Sequence, residues 1–139
     1  MAVNPYKQYK TTSIQTASQG RLIAMLFEGA IKFMNFFIEA VHTGKIELAH
    51  ENSMKAQRIM TELILALDHS KGGDVSRAIE AAYDDIRTRM VISNIRKDPV
   101  LAAAVIKDLD SFRETWSKVF KEVDVASPPA MQAGVSIKT

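Results

Sequence analysis

Two Glu-x-x-His pairs, Glu39-His42 and Glu47-His50, have the side chains best suited to chemistry. On a helix this spacing turns a carboxylate and an imidazole toward one metal. Two such motifs on facing helices, with a Glu from each of the other two, hold a di-iron centre in bundle proteins. Here both pairs flank a single turn, and Glu39 and His42 lie off the apolar seam marked by Phe37 and Val41. They read as solvated helix ends, and no metal is expected. His69 sits in a loop with no companion. Arg87, Arg89, Arg96 and Lys97 could contact phosphates, but a solvated basic face near a helix C-terminus explains them more cheaply. Gly72-Gly73 lacks the spacing and the following lysine of a phosphate loop. No nucleophile–base signature is present, so neither an enzyme nor a cofactor is expected.

Composition narrows the class further. With 139 residues the chain suits one domain with a real core. The absence of cysteine excludes disulfides, zinc–thiolate sites and thiol nucleophiles, and fits a reducing compartment. The N-terminus lacks the basic and apolar regions of a signal peptide. A net charge of +2, with both signs mixed along the chain, provides no strong field for nucleic acid. Scarce glycine and proline with 47% apolar content predict an all-helical protein.

Four helices must then position whatever site exists. Residues 1–17 read as an arm with Tyr6, Tyr9 and Ile14 as its apolar points. Helix 1 starts at a Ser18 cap, and its seam is Ile23, Phe27, Ala30, Met34, Phe37 and Val41. Leu22, Met25, Leu26, Phe33, Phe36 and Ile38 fall beside or off that seam. In residues 22–38 only Glu28, Gly29, Lys32 and Asn35 are not apolar. That run is shorter than the roughly 20 residues a membrane span needs, so no span is expected. Thr43-Gly44-Lys45 makes the first turn. Helix 2 runs to about Asp68 on Ala49, Ala56, Met60, Leu63 and Leu67, widened by Ile46, Ile59 and Ile64. Residues 70–73 break the chain, and Asp74 is expected to cap helix 3. Its stripe is Val75, Ile79, Ala82, Ile86, Met90 and Ser93, with Tyr83, Val91, Ile92 and Ile95 off it. Asp98-Pro99 starts helix 4, which carries Leu101, Val105, Leu109, Phe112, Trp116, Val119 and Val123. Residues 124–139 lose the period and read as a disordered tail. Short turns between similar helices predict an antiparallel up-down-up-down four-helix bundle over 18–123.

The signal left over is apolar surface. Helix 1 is apolar nearly all round, and helix 3 carries Val91, Ile92 and Ile95 beyond its seam. Surface that the core cannot take forms a groove or patch for a partner. Methionines suit an adaptable contact there. Plain core, or the face of a structural homodimer without a client, is the alternative.

Several of these residues carry a resemblance. Asn4-Pro5-Tyr6-Lys7-Gln8-Tyr9, Ile14, Thr16-Ala17-Ser18, Leu22-Ile23 and residues 25–31 resemble the N-terminal signature of the flagellar secretion chaperone family that binds flagellin (FliS). Lys71-Gly72-Gly73-Asp74, Tyr83-Asp84, Arg89, Asn94, Asp98 and Trp116 follow at family-like spacing. The resemblance covers residues 4 to about 121. Departures include Gln19 where the family usually has proline. On helix 3, Ala82-Tyr83-Asp84-Asp85, Thr88-Arg89, Ile92 and Ser93-Asn94 also depart from the family pattern.

The resemblance implies a cytosolic, non-enzymatic chaperone with a compact antiparallel helical bundle. Its client is the C-terminal segment of flagellin, wrapped around the outside partly as extended chain and partly as helix. Binding would block premature polymerisation and keep flagellin ready for flagellar type III export. Components of the export apparatus and a co-chaperone are further partners to consider. The expected client-binding residues are Tyr6, Tyr9, Ile14, Ile79, Tyr83, Ile86, Arg89, Met90 and Asn94. Asn94 would bond the backbone of an extended client. Arg89 would pair with a client carboxylate or with its own Asp85. If Tyr6 and Tyr9 cover part of the client's track, deleting residues 1–13 tightens client binding in a titration. Weaker binding would show that the arm supplies contacts.

Overall fold

Each apolar stripe becomes a helix, and several of the helix ends carry a cap that satisfies last carbonyls or first amides. A computed structural model describes residues 19–123, with side-chain surroundings to Phe120. The described elements are all helical: α1 (Gln19–His42), α2 (Ile46–Leu65), α3 (His69–Gly72), α4 (Asp74–Arg96) and α5 (Pro99–Val123). The arm, the Ser18 cap and the tail after 123 lie outside the described residues. No described helix is long and apolar enough to cross a membrane.

The caps account for most of the boundaries. Gly44 takes φ 73°. Beside it, the Lys45 N–H reaches back to the Ala40 carbonyl at 2.8 Å, which closes α1. α4 closes in the same way, with the Asp98 N–H on the Ser93 carbonyl at 2.9 Å. Its left-handed residue is Lys97, at φ 50°. The Lys97 ammonium donates to the Asn94 carbonyl at 2.7 Å and to Asn94 Oδ1 at 2.8 Å, which helps to hold that uncommon conformation. The Asp98 carboxylate then accepts from the N–H groups of Val100 and Leu101, at 2.9 and 3.1 Å. A cap of this kind contributes about 1 kcal/mol.

The connection between α2 and α4 differs from the sequence expectation. α2 ends at Leu65, not near Asp68, and residues 69–72 form a helical turn. Asp68 caps this turn by accepting from the Ser70 N–H at 3.0 Å and from the Ser70 hydroxyl. The hydroxyl bond is the main reason its carboxyl titrates below the ordinary value. Asp74 is the first residue of α4 and makes no cap; Gly73 occupies that position. Asp68 already supplies the helix-starting carboxylate one short turn earlier.

α1 packs against α2 and α5, and α4 packs against α2 and α5. Neighbouring helices run antiparallel. Asn94 meets His50 while Arg87 meets Thr61. Tyr83 meets Trp116 while Arg89 meets Asp108. The core follows the expected seams, with Phe27, Ala30, Met34, Phe37, Ala56, Met60, Ile86, Met90, Val105 and Leu109 fully buried. Leu22, Leu26 and Tyr83 join it although they lie off the expected stripes, and Val75 and Ile46 are exposed instead. Leu22 and Leu26 are buried because α1 touches two neighbours, so its apolar arc is wider than one seam.

Two glycines mark where α1 meets its neighbours. A Cβ on Gly20 would overlap Cβ and Cγ of Phe120, which are close to the α5 backbone. A Cβ on Gly29 would lie 3.2 Å from the flexible tip of Ile59. Gly20→Ala is therefore expected to lower the urea midpoint. Gly29→Ala should leave it unchanged or raise stability by up to about 1 kcal/mol, the helix-propensity difference.

Candidate functional site

Three aromatic rings from three helices meet where α1, α4 and α5 converge. Phe27 stacks on Phe112 with ring centroids 6.0 Å apart, and Tyr83 meets both edge-on, at 5.8 and 5.3 Å. The buried Trp116 donates its indole N–H to the Tyr83 hydroxyl at 2.8 Å. These groups tie α4 and α5 to each other and to α1. Outside them lies a cleft of about 300 Å³ lined by Ala82, Asp85, Ile86, Arg89, Asp108, Ser111, Phe112 and Thr115. Its floor is apolar (Ala82, Ile86, Phe112), and its rim is charged or hydroxylic.

Arg89 spans the rim. Its guanidinium donates to Asp85 at 3.0 Å on its own helix and to Asp108 at 2.6 Å on α5. Burial by itself would lower its pKa, but the bonds to Asp108 and Asp85 outweigh that, and the group stays above the ordinary arginine value. The lining residues therefore carry one cation and two carboxylates. The combination suits an apolar side chain on the floor, flanked by donors to the carboxylates.

The structure brings Ile86 and Arg89 together in this cleft. Ile79 is half-buried and lies one turn before Ala82. Tyr83 and Met90 are buried in the core behind the cleft. Asn94 lies elsewhere, on the α2 side of α4, where its amide nitrogen is 2.9 Å from His50 Nδ1. Its side chain already serves His50 and the Lys97 ammonium. Tyr6, Tyr9 and Ile14 are outside the described residues. Asp108, Ser111, Phe112 and Thr115 were missed as site residues. They come from α5, where Phe112 reads only as core and the polar residues around it read only as solvated surface.

The other polar candidates have local partners. Arg87 bonds Asp84 and Thr61, and Lys97 is turned back onto Asn94. Among the described residues no group of three or more histidines and carboxylates could hold a metal. His69 does have companions: Nδ1 is 2.7 Å from the buried Ser76 hydroxyl, and Nε2 is 3.4 Å from Glu80. That hydroxyl donates to the Gly73 carbonyl, so it ties the short α3 to α4 and is not positioned as a nucleophile.

Comparison with known proteins matches residues 2–123 to the family model of flagellar protein FliS. The chain belongs to the FliS family. It is similar to the flagellar secretion chaperone FliS of Bacillus subtilis, 33% identical over 85% of this chain and 87% of that one. The homologue of Salmonella typhimurium is 29% identical over 84% of this chain and 88% of its own length. That of Vibrio cholerae is 25% identical over 85% and 88%. FliS is a family of chaperones and not of enzymes.

In this FliS-family chain the cleft depends on the Tyr83–Trp116 pair. Burial pushes the Tyr83 phenol well above its ordinary value, although the Trp116 bond pulls the other way. A pKa raised by folding stabilises below the unfolded value, near pH 10, and that contribution fades as pH climbs toward the folded value. Tyr83→Phe should therefore flatten the alkaline decline of the urea midpoint. At neutral pH it leaves the buried indole N–H without its acceptor, a loss of about 1–3 kcal/mol.

Proposed function

We propose that this protein is a cytosolic export chaperone for the flagellin C-terminal segment, which is disordered before it is captured. Holding that segment prevents premature polymerisation and keeps flagellin competent for flagellar type III secretion. Its framework in this reading is an antiparallel up-down-up-down four-helix bundle with an N-terminal arm. The observation that carries the proposal is the open α4–α5 cleft, apolar below and polar at the rim, in a chain of a chaperone family. A disordered segment that orders on binding loses about 2–5 kcal/mol or more, so it needs apolar surface in return. Ala82 and Phe112 offer such surface, with the buried Ile86 beneath them, and Ile79 extends it along α4.

Arg89, Asp85 and Asp108 would then align the client through its amides and charged groups. Tyr83 and Met90 would act from behind, by fixing the wall that the client touches. Asn94 would contribute where a client continues onto the α2 side of α4. Tyr6, Tyr9 and Ile14 in the arm would meet the same track. The export apparatus or a co-chaperone would engage the loaded complex.

Calorimetric titration with the cognate flagellin C-terminal segment tests this. A 1:1 complex with a negative heat-capacity change is expected. Ser111→Trp, at an exposed cleft position, should weaken binding at least about tenfold, or ~1.4 kcal/mol, without lowering the thermal midpoint. Absence of saturable binding to the folded wild-type protein would refute the assignment. Unchanged affinity in Ser111→Trp would place the client elsewhere.

A further inference from the structure

The face that α1 and α2 turn to solvent has a composition that their packing does not require. α1 and α2 are neighbours, as are α4 and α5, and the contacts close a ring in the order α1, α2, α4, α5. This face therefore looks away from the cleft. On it Met25 is 48% exposed, Phe36 43% and Leu48 44%. Leu48 lies seven residues before Lys55 on the same stripe of α2, and Lys55 reaches Phe33 of α1. The three apolar side chains are thus strung along one face over roughly 20 Å of helix.

Cations fill the interval between them. Lys32 Nζ lies 5.8 Å from the centroid of Phe33 and 5.8 Å from that of Phe36. Lys55 Nζ, from α2, lies 5.5 Å from the centroid of Phe33. The exposed Arg58 follows Lys55 by one turn. None of the three forms an ion pair with a described residue. The carboxylates on this side, Glu28 on α1 and Glu51 and Glu62 on α2, each stand one turn away from the three cations and flank them.

This order of groups selects the kind of partner. A protein interface gathers its apolar anchors into one desolvated centre with polar groups around it. Here single apolar side chains lie outside and the cations lie in the middle. A bilayer surface accepts that order. Each apolar side chain enters the acyl boundary by itself, while the lysine stems lie along the rings and keep their ammonium groups at the depth of the phosphates. Unpaired cations draw such a face to anionic lipid.

We infer that the α1–α2 face is a membrane-docking surface. It seats the protein on anionic lipid through Met25, Phe36 and Leu48, with Lys32, Lys55 and Arg58 on the headgroup phosphates. The contact is interfacial, since no described helix is long and apolar enough to cross a membrane. The inference does not rest on the client reading. Docked in this way, the protein keeps its α4–α5 cleft turned to solvent.

Co-sedimentation of the full-length protein with vesicles tests the inference, at about 0.1 M salt, where screening confines charge effects to roughly 10 Å. Wild-type should partition onto vesicles of equal parts phosphatidylglycerol and phosphatidylcholine at least about tenfold more strongly than onto phosphatidylcholine alone. Lys32→Glu/Lys55→Glu should weaken that partition about tenfold or more. Lys107→Glu/Lys118→Glu makes the same change in net charge at exposed positions of α5 and should change it less than about threefold. Phe36→Trp, folded by circular dichroism, should shift its emission to the blue on the anionic vesicles, over the constant background of the buried Trp116. No sedimentation of wild-type, equal partition onto both kinds of vesicle, or equal losses in the two reversals would each overturn the inference. So would a Phe36→Trp emission that stays unmoved on vesicles carrying the protein. If vesicles do not bind while Phe36→Ser lowers affinity for the flagellin segment or dissociates a dimer, the face belongs to a protein partner instead.

Discussion

A buried hydrogen bond, from the Trp116 indole to the Tyr83 hydroxyl, joins the two helices that line the cleft. Tyr83 reaches from α4 to the ring of Phe27 on α1, a helix that α4 does not pack along. Phe112 completes the cluster from α5. The buried indole N–H needs an acceptor, and the Tyr83 hydroxyl oxygen supplies it. The cluster thus joins three helices and leaves a floor that the outer rim does not cover.

The α1–α2 side is built in the opposite way. Ala30 and Ala40 on α1 and Ala49 and Ala56 on α2 are fully or almost fully buried, and small side chains allow close approach. That close pairing leaves no cleft, and α1's surplus apolar residues, Met25 and Phe36, are left at the surface. One side therefore offers depth and the other offers exposed rings beneath cations.

Much of the framework was legible in the sequence because its signals are local. The Asp98-Pro99 start, the Gly44 stop and the seam from Ile23 through Phe37 each follow from caps or periodicity. Tyr83 lies on the buried face of α4, three residues before Ile86 and seven before Met90, whereas Ala82, on the expected stripe, is only half-buried and lines the cleft. Val75, on the expected stripe, is exposed because the buried face of α4 at this turn is the one carrying Ser76. The α5 half of the cleft was not legible. Nothing in the sequence says that Asp108 will face Arg89 across two helices, since that depends on how α4 and α5 pack. Arg89 itself was visible as a charged candidate, and Asp85 as its partner, because both lie on one helix four residues apart. The Lys32–Phe33–Lys55 contact was hidden for the same reason as the α5 half: it joins two helices.

Methyl-labelled NMR of the protein with and without the flagellin C-terminal segment tests the central claim most directly. The account predicts shift changes at Ile79, Ala82 and Ile86 along the α4–α5 cleft, with the buried Met60 and Leu63 of α2 little affected. Changes confined to other surfaces, with the α4–α5 methyls unmoved at saturation, would contradict it.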